Sequence, residues 1–162
     1  MIPHERNRKT SQRQTFIRQV LLLSFVIAFA LNLTWEMLQM PAYTRFAQSS
    51  IQAWLFCGLA AIFDALYVIF LYWLGKRLTR KENWIFHLTW LYVSAIILLG
   101  IITATIVERI ALTLSLWSYS EGMLEVPLLQ VGILPLIQPI ALPLATFWLV
   151  GRAIESQDTS GQ

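Results

Sequence analysis

Four long stretches that are almost free of charge constrain this chain more than any other feature. They cover residues 19–35, 46–75, 83–107 and 126–151. The first reads on through Met40 if Glu36 is tolerated, and the second is interrupted only by Asp64. A helix of about 20 residues crosses a hydrocarbon core about 30 Å thick, so each stretch allows one crossing. Because the stretches do not alternate as barrel strands do, we predict an all-α bundle of four transmembrane helices.

Composition excludes the competing classes of protein. Hydrophobic residues make up 57% of the 162 residues and charged residues only 13%, whereas soluble domains carry about 25% charge. This apolar content excludes a disordered chain, and the single cysteine, Cys57, cannot form a disulfide within the chain. We therefore predict one membrane domain at 16–154, between a basic cytoplasmic tail at 1–15 and a disordered tail at 155–162.

The basic residues predict the orientation. Ten of the 12 lysines and arginines precede the first stretch, fill the second connection or follow the fourth stretch, and only Arg45 and Arg109 fall on the opposite side. The positive-inside rule then places both termini in the cytoplasm, as for a protein of the bacterial cytoplasmic membrane. The positive charge favours contact with membrane lipids through anionic headgroups and gives no reason to infer nucleic-acid binding. The short connection at 77–82 predicts that the second and third helices are antiparallel neighbours.

The first stretch has a second interpretation. Its basic flank, the apolar run at 20–27 and the Ala-Phe-Ala sequence at 28–30 resemble a cleavable signal peptide. The apolar character continues to Met37, which favours a retained helix.

Prolines distinguish the fourth stretch. Pro127, Pro135, Pro139 and Pro143 interrupt it. A proline within a helix removes one backbone hydrogen bond and crowds the carbonyl four residues earlier, so a kinked fourth helix is predicted.

Asp64 is the residue that costs most to bury. Residues 51–63 are too few to cross a membrane alone, so Asp64 must lie near the middle of the second helix. An acid there costs about 2.5–3.5 kcal/mol on insertion scales, and such residues face the bundle interior and mark functional sites. We predict that Asp64 is a catalytic acid that transfers a proton. The structural alternative is a carboxyl group hydrogen-bonded to Gln138 or Ser94, which lie at similar depth.

A polar stripe on the first helix carries the second signal. Asn32, Glu36 and Gln39 follow i, i+4, i+7 spacing and fall within about 60° of one helix face. Glu36 is predicted as the second catalytic acid, although it could instead lie at the interface and pair with Arg109.

The third stretch carries a similar stripe of His87, Ser94 and Thr105, with Glu108 about 60° away at its far end. Charge is tolerated at that boundary, which favours a solvated position for Glu108 and Arg109. The predicted substrate-binding residues are Asn32, Gln39, Ser94, Glu108 and Gln138. Two histidines, one on a tail and one on a helix, do not form a metal site, and no cofactor is predicted. Small residues at 53, 57, 61 and 65 predict close helix packing.

Four segments resemble a known family. They are residues 32–41 (NLTWEMLQMP), 108–112 (ERIAL), 117–119 (WSY) and 132–139 (GILPLIQP). Together they resemble a family of small, uncharacterised bacterial four-helix membrane proteins, which implies no particular chemistry. A weaker resemblance is to carotenoid-cyclase-type membrane domains, which pair a Trp-x-Tyr stretch with a proline and acidic residues at the start of the next helix. Residues 117–119 match that pattern, whereas Gln138 stands where an acid is expected.

Two functional hypotheses follow from the sequence. The first is an enzyme or binding protein for an apolar small molecule such as a lipid, a quinone or an isoprenoid. The second is a non-catalytic subunit or assembly factor whose polar stripes contact a membrane-protein partner or a second copy of the chain. Half of a transporter is a third option, since broken helices and midplane acids occur there, but no inverted repeat supports it.

Overall fold

The computed structural model describes residues 3–44 and 51–160. The chain forms four long helices, α1 (Pro3–Gln39), α2 (Ile51–Thr79), α3 (Trp90–Thr113) and α4 (Ile133–Ser160). Each contains a segment long and apolar enough to cross a membrane, which confirms an all-α, membrane-type bundle. The shorter elements are two 3₁₀ turns at Met40–Ala42 and Trp84–Phe86 and an antiparallel hairpin of β1 (Glu125–Val126) and β2 (Val131–Gly132).

Both end helices are longer than the apolar stretches that predict them. α1 begins at Pro3, so residues 3–15, predicted as a separate tail, form its first turns. α4 continues to Ser160, into the segment predicted to be disordered. The reason is that a helix with a stable nucleus extends into polar residues at little cost. Residues 1–2 and 161–162 of those tails, Arg45 and the predicted start of the second stretch at Phe46 lie outside the described residues.

The helices pack in the order α2–α1–α4–α3. α1 packs against α2 and α4, and α3 packs against α4. Within the described ranges, α2 and α3 are not among the closely packed pairs, so the prediction that they are neighbours is wrong. The connection between them runs from residue 80 to residue 89, longer than predicted, and its 3₁₀ turn packs against both α2 and α4.

The buried ring of Trp84 anchors this connection. The ring lies 5.3 Å from that of Phe147 between centroids, and its Nε1 donates a hydrogen bond of 3.2 Å to the carbonyl of Tyr72. A Cβ at position 75 would lie 2.4 Å from the indole, so Gly75 is required for the fit. We call this the Trp84 end of the bundle and the opposite one the hairpin end.

α4 continues as one helix through Pro139 and Pro143. Pro127 lies outside it, between β1 and β2, and Pro135 lies in its first turn. The predicted kink remains a prediction. Because Pro143 has no N–H, the carbonyl of Pro139 lacks its intrahelical donor. Gly100 of α3 packs against that carbonyl, which a Cβ at this position would approach to 2.9 Å.

The four small residues of α2 are buried, as predicted. Ala53, Cys57, Ala61 and Ala65 are each at most 6% exposed. α1 and α2 form the most extensive helix pair in the bundle, since small side chains let backbones approach closely. This pairing brings the polar stripe of α1 beside Asp64.

Candidate functional site in a cavity of the bundle

The amide of Gln138 is the centre of a polar cluster. Gln138 is buried on α4. Its Nε2 lies 3.1 Å from Oδ1 of Asn32, 2.9 Å from Oε1 of Glu36 and 2.8 Å from Oδ2 of Asp64. The three acceptors meet there because α1 packs against both α2 and α4. Asp64 therefore faces the interior of the bundle, as predicted.

A second pair of hydrogen bonds orients this amide. Nε2 of Gln39 donates to Oε1 of Gln138 at 3.1 Å, and Nε1 of Trp35 donates to Oε1 of Gln39 at 3.0 Å. The indole is donor-only, so it fixes which end of Gln39 is the oxygen and, in turn, which end of Gln138 is the nitrogen. This chain of hydrogen bonds directs the Gln138 NH₂ group towards Glu36 and Asp64. We use "polar cluster" for Asn32, Glu36, Gln39, Asp64 and Gln138.

The polar cluster has more acceptors than donors. A carboxamide nitrogen carries two hydrogens, yet three oxygens lie within hydrogen-bonding distance of the Gln138 Nε2. One oxygen therefore always lacks a full hydrogen bond from this amide. Because the carboxyl oxygens of Glu36 and Asp64 share one nitrogen, they lie within roughly 6 Å of each other, a range in which charges interact strongly.

The polar cluster forms one wall of a cavity of about 480 Å³. Glu36, Gln39, Asp64 and Gln138 line the cavity, together with Glu108, whereas Asn32, which was predicted to bind substrate, does not. The rest of the lining is mainly apolar or aromatic and includes the rings of Tyr43, Phe56, Phe63, Tyr67 and Trp117. All four helices contribute, so the cavity is a product of the whole bundle.

Glu108 closes the hairpin end of this cavity. It is 5% exposed, and its Oε2 accepts hydrogen bonds from the Tyr119 hydroxyl at 2.5 Å and from Nε1 of Trp117 at 3.2 Å. The Tyr119 oxygen in turn accepts from the backbone N–H of Gly132 at 2.9 Å. A solvated position for Glu108 is therefore wrong, because the segment after α3 folds back over it. Arg109 is exposed and donates to Gln130, not to Glu36.

Backbone pairing extends this closure to the end of α1. Tyr43 and Tyr119 form an antiparallel bridge, and the Thr44 N–H donates to the Ser118 carbonyl at 3.0 Å. Burial, and next the charge of Glu108, raise the pKa of Tyr43 above its usual range. Burial, and next the hydrogen bond to Glu108, also raise the pKa of Tyr119. Both hydroxyls therefore remain protonated, and Tyr119 remains a donor. "Hairpin cap" denotes Tyr43, Glu108, Trp117, Tyr119 and Gly132.

The cavity opens on the side where α2 and α3 do not pack together. Leu59 and Phe63 of α2 and Val107 of α3 line it, yet they are 53%, 63% and 50% exposed. These side chains form the rim of an opening between the two helices. The opening is apolar, whereas the opposite wall is polar.

Two residues predicted for the third helix lie elsewhere. Ser94 is exposed and does not line the cavity. The predicted depth was counted from the outer end of the stretch, near residue 107, but α3 spans Trp90–Thr113, so Ser94 lies near the Trp84 end. His87 precedes α3 altogether. Thr103 of α3 and Tyr67 of α2 line the cavity instead, and no polar stripe in the sequence distinguishes them.

Within the residues that the structure describes, no group of three or more His, Cys, Asp or Glu side chains is placed to hold a metal ion. No family model, no curated protein and no solved structure matches this chain.

Proposed function

We propose that this is an integral protein of the bacterial cytoplasmic membrane, with both termini in the cytoplasm, that binds and converts an apolar lipid or isoprenoid molecule in the cavity. Asp64 transfers a proton to or from the substrate, and Glu36 is the second acid. Gln39 and Gln138 orient the substrate and the two carboxyl groups, and Asn32, behind the cavity wall, positions the Gln138 amide. Glu108 bounds the binding site at the hairpin cap.

The juxtaposition of Asp64 and Glu36 on one wall of a cavity is the observation that carries this proposal. Two interacting carboxyl groups titrate as a pair and can hold one proton between them. A positioned acid or base contributes about 10²–10⁴-fold to a reaction that moves a proton. The shared amide nitrogen of Gln138 keeps both carboxyl groups directed at the same space.

The shape of the cavity supports an apolar substrate. Its volume of about 480 Å³ falls within the range of about 300–1,000 Å³ typical of small-molecule sites. The opening lies between two helices that are long and apolar enough to span a membrane. A molecule dissolved in the bilayer can therefore enter sideways, with its reactive end against the polar cluster.

The experiment compares cells that express the wild-type chain, Asp64→Asn or Glu121→Gln. Glu121 is an exposed acid outside the cavity, so its variant is the matched control. We expect the wild type and Glu121→Gln to change the cellular lipid profile alike, and Asp64→Asn to lose that change by about 10²-fold or more. Quantitative lipid analysis of membranes with equal amounts of folded protein provides the measurement.

Purification in a mild neutral detergent tests the alternative of a non-catalytic subunit. That alternative predicts a partner helix against the opening between α2 and α3. A protein that co-purifies in equal amounts, together with identical lipid profiles for wild type and Asp64→Asn, would contradict the proposed function.

A further inference from the structure

The carboxyl groups around the cavity have no basic partner in its lining. Glu36, Asp64 and Glu108 line it, and none of its lining residues within the described ranges is a lysine, arginine or histidine. Arg13 and Lys76 instead pair with Glu82 at the Trp84 end. A cleft that is lined by acids with low-dielectric walls attracts positive charge.

Asp64 has few hydrogen-bond donors around it. Gln138 is the only donor to Asp64 among the residues that the structure describes, and it is shared with Asn32 and Glu36. Glu36 has a second partner in Gln39. Glu108 differs, because Tyr119 and Trp117 already donate to it. A ligand with several N–H groups would therefore be held between Glu36 and Asp64 and not at Glu108.

The position of the Gln138 nitrogen indicates what fits there. A nitrogen within 2.9 Å of both carboxyl groups has the separation of a charge-assisted N–H···O bond. A protonated primary amine supplies three N–H donors and a positive charge. It would occupy the cavity side of the two carboxyl groups and satisfy the oxygen that the amide leaves without a donor.

Aromatic rings complete the environment of such a group. Tyr43, Phe56, Phe63, Tyr67 and Trp117 line the same space. The faces of aromatic rings attract cations, and the rings also pack well against alkyl chains. An apolar tail attached to the amine would leave between Leu59, Phe63 and Val107, the exposed rim of the opening.

From these observations we infer that the cavity selects an amphiphile with a protonated amine head and an apolar tail. The inference rests on the proposed function, because it takes the cavity to be a binding site for a molecule from the bilayer. It adds the chemistry of the head group, which the proposed function leaves open.

Three probes with the same tail test the inference: dodecylamine, dodecyltrimethylammonium and dodecanol. Their dissociation constants are measured at neutral pH on the purified full chain in phosphatidylcholine nanodiscs. We expect dodecylamine to bind about ten-fold or more tightly than dodecanol, because it adds charge-assisted hydrogen bonds. Dodecyltrimethylammonium should fall between them, since it has the charge without N–H donors.

Two variants test whether the preference for the amine depends on Glu36 and Asp64. The Glu36→Gln/Asp64→Asn double variant should bind amine and alcohol with equal affinity, and Glu121→Gln should keep the wild-type preference. If the double variant does not fold, the single variant Asp64→Asn replaces it, and a reduced preference for amine over alcohol is expected. The three wild-type affinities are compared as before.

The outcomes separate the inference from the function on which it rests. Equal binding of amine and alcohol overturns the inference and leaves the proposed function standing. Tightest binding of the trimethylammonium probe also overturns it, because N–H donors would then not matter. Failure of all three probes to bind overturns both the inference and the proposed function.

Discussion

Gln138 is the residue on which the polar groups of three helices depend. Its amide contacts Asn32 and Glu36 of α1 and Asp64 of α2, and it accepts from Gln39. A buried polar group that loses its partner costs about 1–3 kcal/mol. Removing this one amide therefore affects several groups at once, whereas removing any one acceptor leaves the others to share the donor.

Gln138→Leu should accordingly lower the free energy of unfolding by about 3 kcal/mol or more. Gln52→Leu is the control, since the same chemical change is made at an exposed position of α2. Unfolding of both variants by denaturing detergent in mixed micelles gives the comparison. Equal stability of the two would mean that the polar cluster contributes no net stability.

At the scale of residues, the sequence identifies the members of the polar cluster more completely than it identifies the contacts of Glu108. The spacing of Asn32, Glu36 and Gln39 predicts one polar face, and the structure brings that face to Asp64 and Gln138. The partners of Glu108 are only nine and eleven residues further along the chain, but they lie beyond the end of α3 and reach Glu108 because the segment around residues 117–132 folds back. No periodicity within a helix encodes that contact.

At the scale of elements, the contact of α3 with α4 depends on a missing side chain. Gly100 faces Ile140 and the carbonyl of Pro139, and a Cβ there would lie 2.6 Å from Cγ1 of Ile140. The close approach also brings Gly100 to the Pro139 carbonyl, which has no backbone donor because Pro143 lacks an N–H. A Cα–H group can form a weak hydrogen bond to such an oxygen. The prolines of α4 and the glycine of α3 are therefore one packing feature.

Gly100→Ala should destabilise the bundle even though alanine favours helices over glycine by about 1 kcal/mol. Overpacking of this kind costs about 1–3 kcal/mol. Gly58→Ala in α2 is the matched control, because a Cβ there meets nothing within 4 Å. Thermal unfolding in one detergent should give a lower midpoint for Gly100→Ala than for Gly58→Ala, and the reverse order would contradict this packing.

The hairpin cap allows a second prediction for an element. Tyr119→Phe removes the hydroxyl that joins Glu108 to the N–H of Gly132. We expect faster amide hydrogen exchange around residues 123–132, with little change at the Trp84 end, because a local hydrogen bond limits local opening. Tyr92→Phe, in the ring cluster around Trp84, is the control. Unchanged exchange in Tyr119→Phe would show that the hydroxyl does not hold the hairpin.

The hairpin of β1 and β2 and the start of α4 could not be predicted from the sequence. The fourth apolar stretch begins at residue 126, but α4 begins at Ile133, and the intervening residues form β1, a turn and β2. Hydropathy measures only how apolar these residues are, so it does not distinguish a buried strand from the end of a helix. The four long helices were predictable because their length alone excludes other structures.

At the scale of the whole molecule, the helix order gives the bundle one open side. α1 and α4 occupy the centre, each with two close neighbours, while α2 and α3 lie at the edges. The acids face inward from this arrangement, and the apolar rim faces outward. The sequence predicted the number of helices but not their order. The ten-residue connection between α2 and α3 is long enough for α3 to pack against α2 or against another helix.

The proposed orientation leads to a test on the whole chain. In a Cys57→Ser background, Lys81→Cys should react with a membrane-impermeant maleimide only after the cytoplasmic face is made accessible. Glu121→Cys, on the segment that precedes the hairpin, should react in intact cells whose outer membrane has been permeabilised. The opposite pattern would reverse the proposed orientation and place both termini outside the cytoplasm.

The opening between α2 and α3 has a consequence for how occupancy is measured. A ligand that arrives sideways is drawn from the lipid phase, so its mole fraction among the lipids, not its aqueous concentration, determines how often the cavity is filled. Diluting the sample with buffer should leave a strongly partitioned ligand bound. Adding ligand-free lipid at constant protein should lower the mole fraction of the ligand and release it from the cavity.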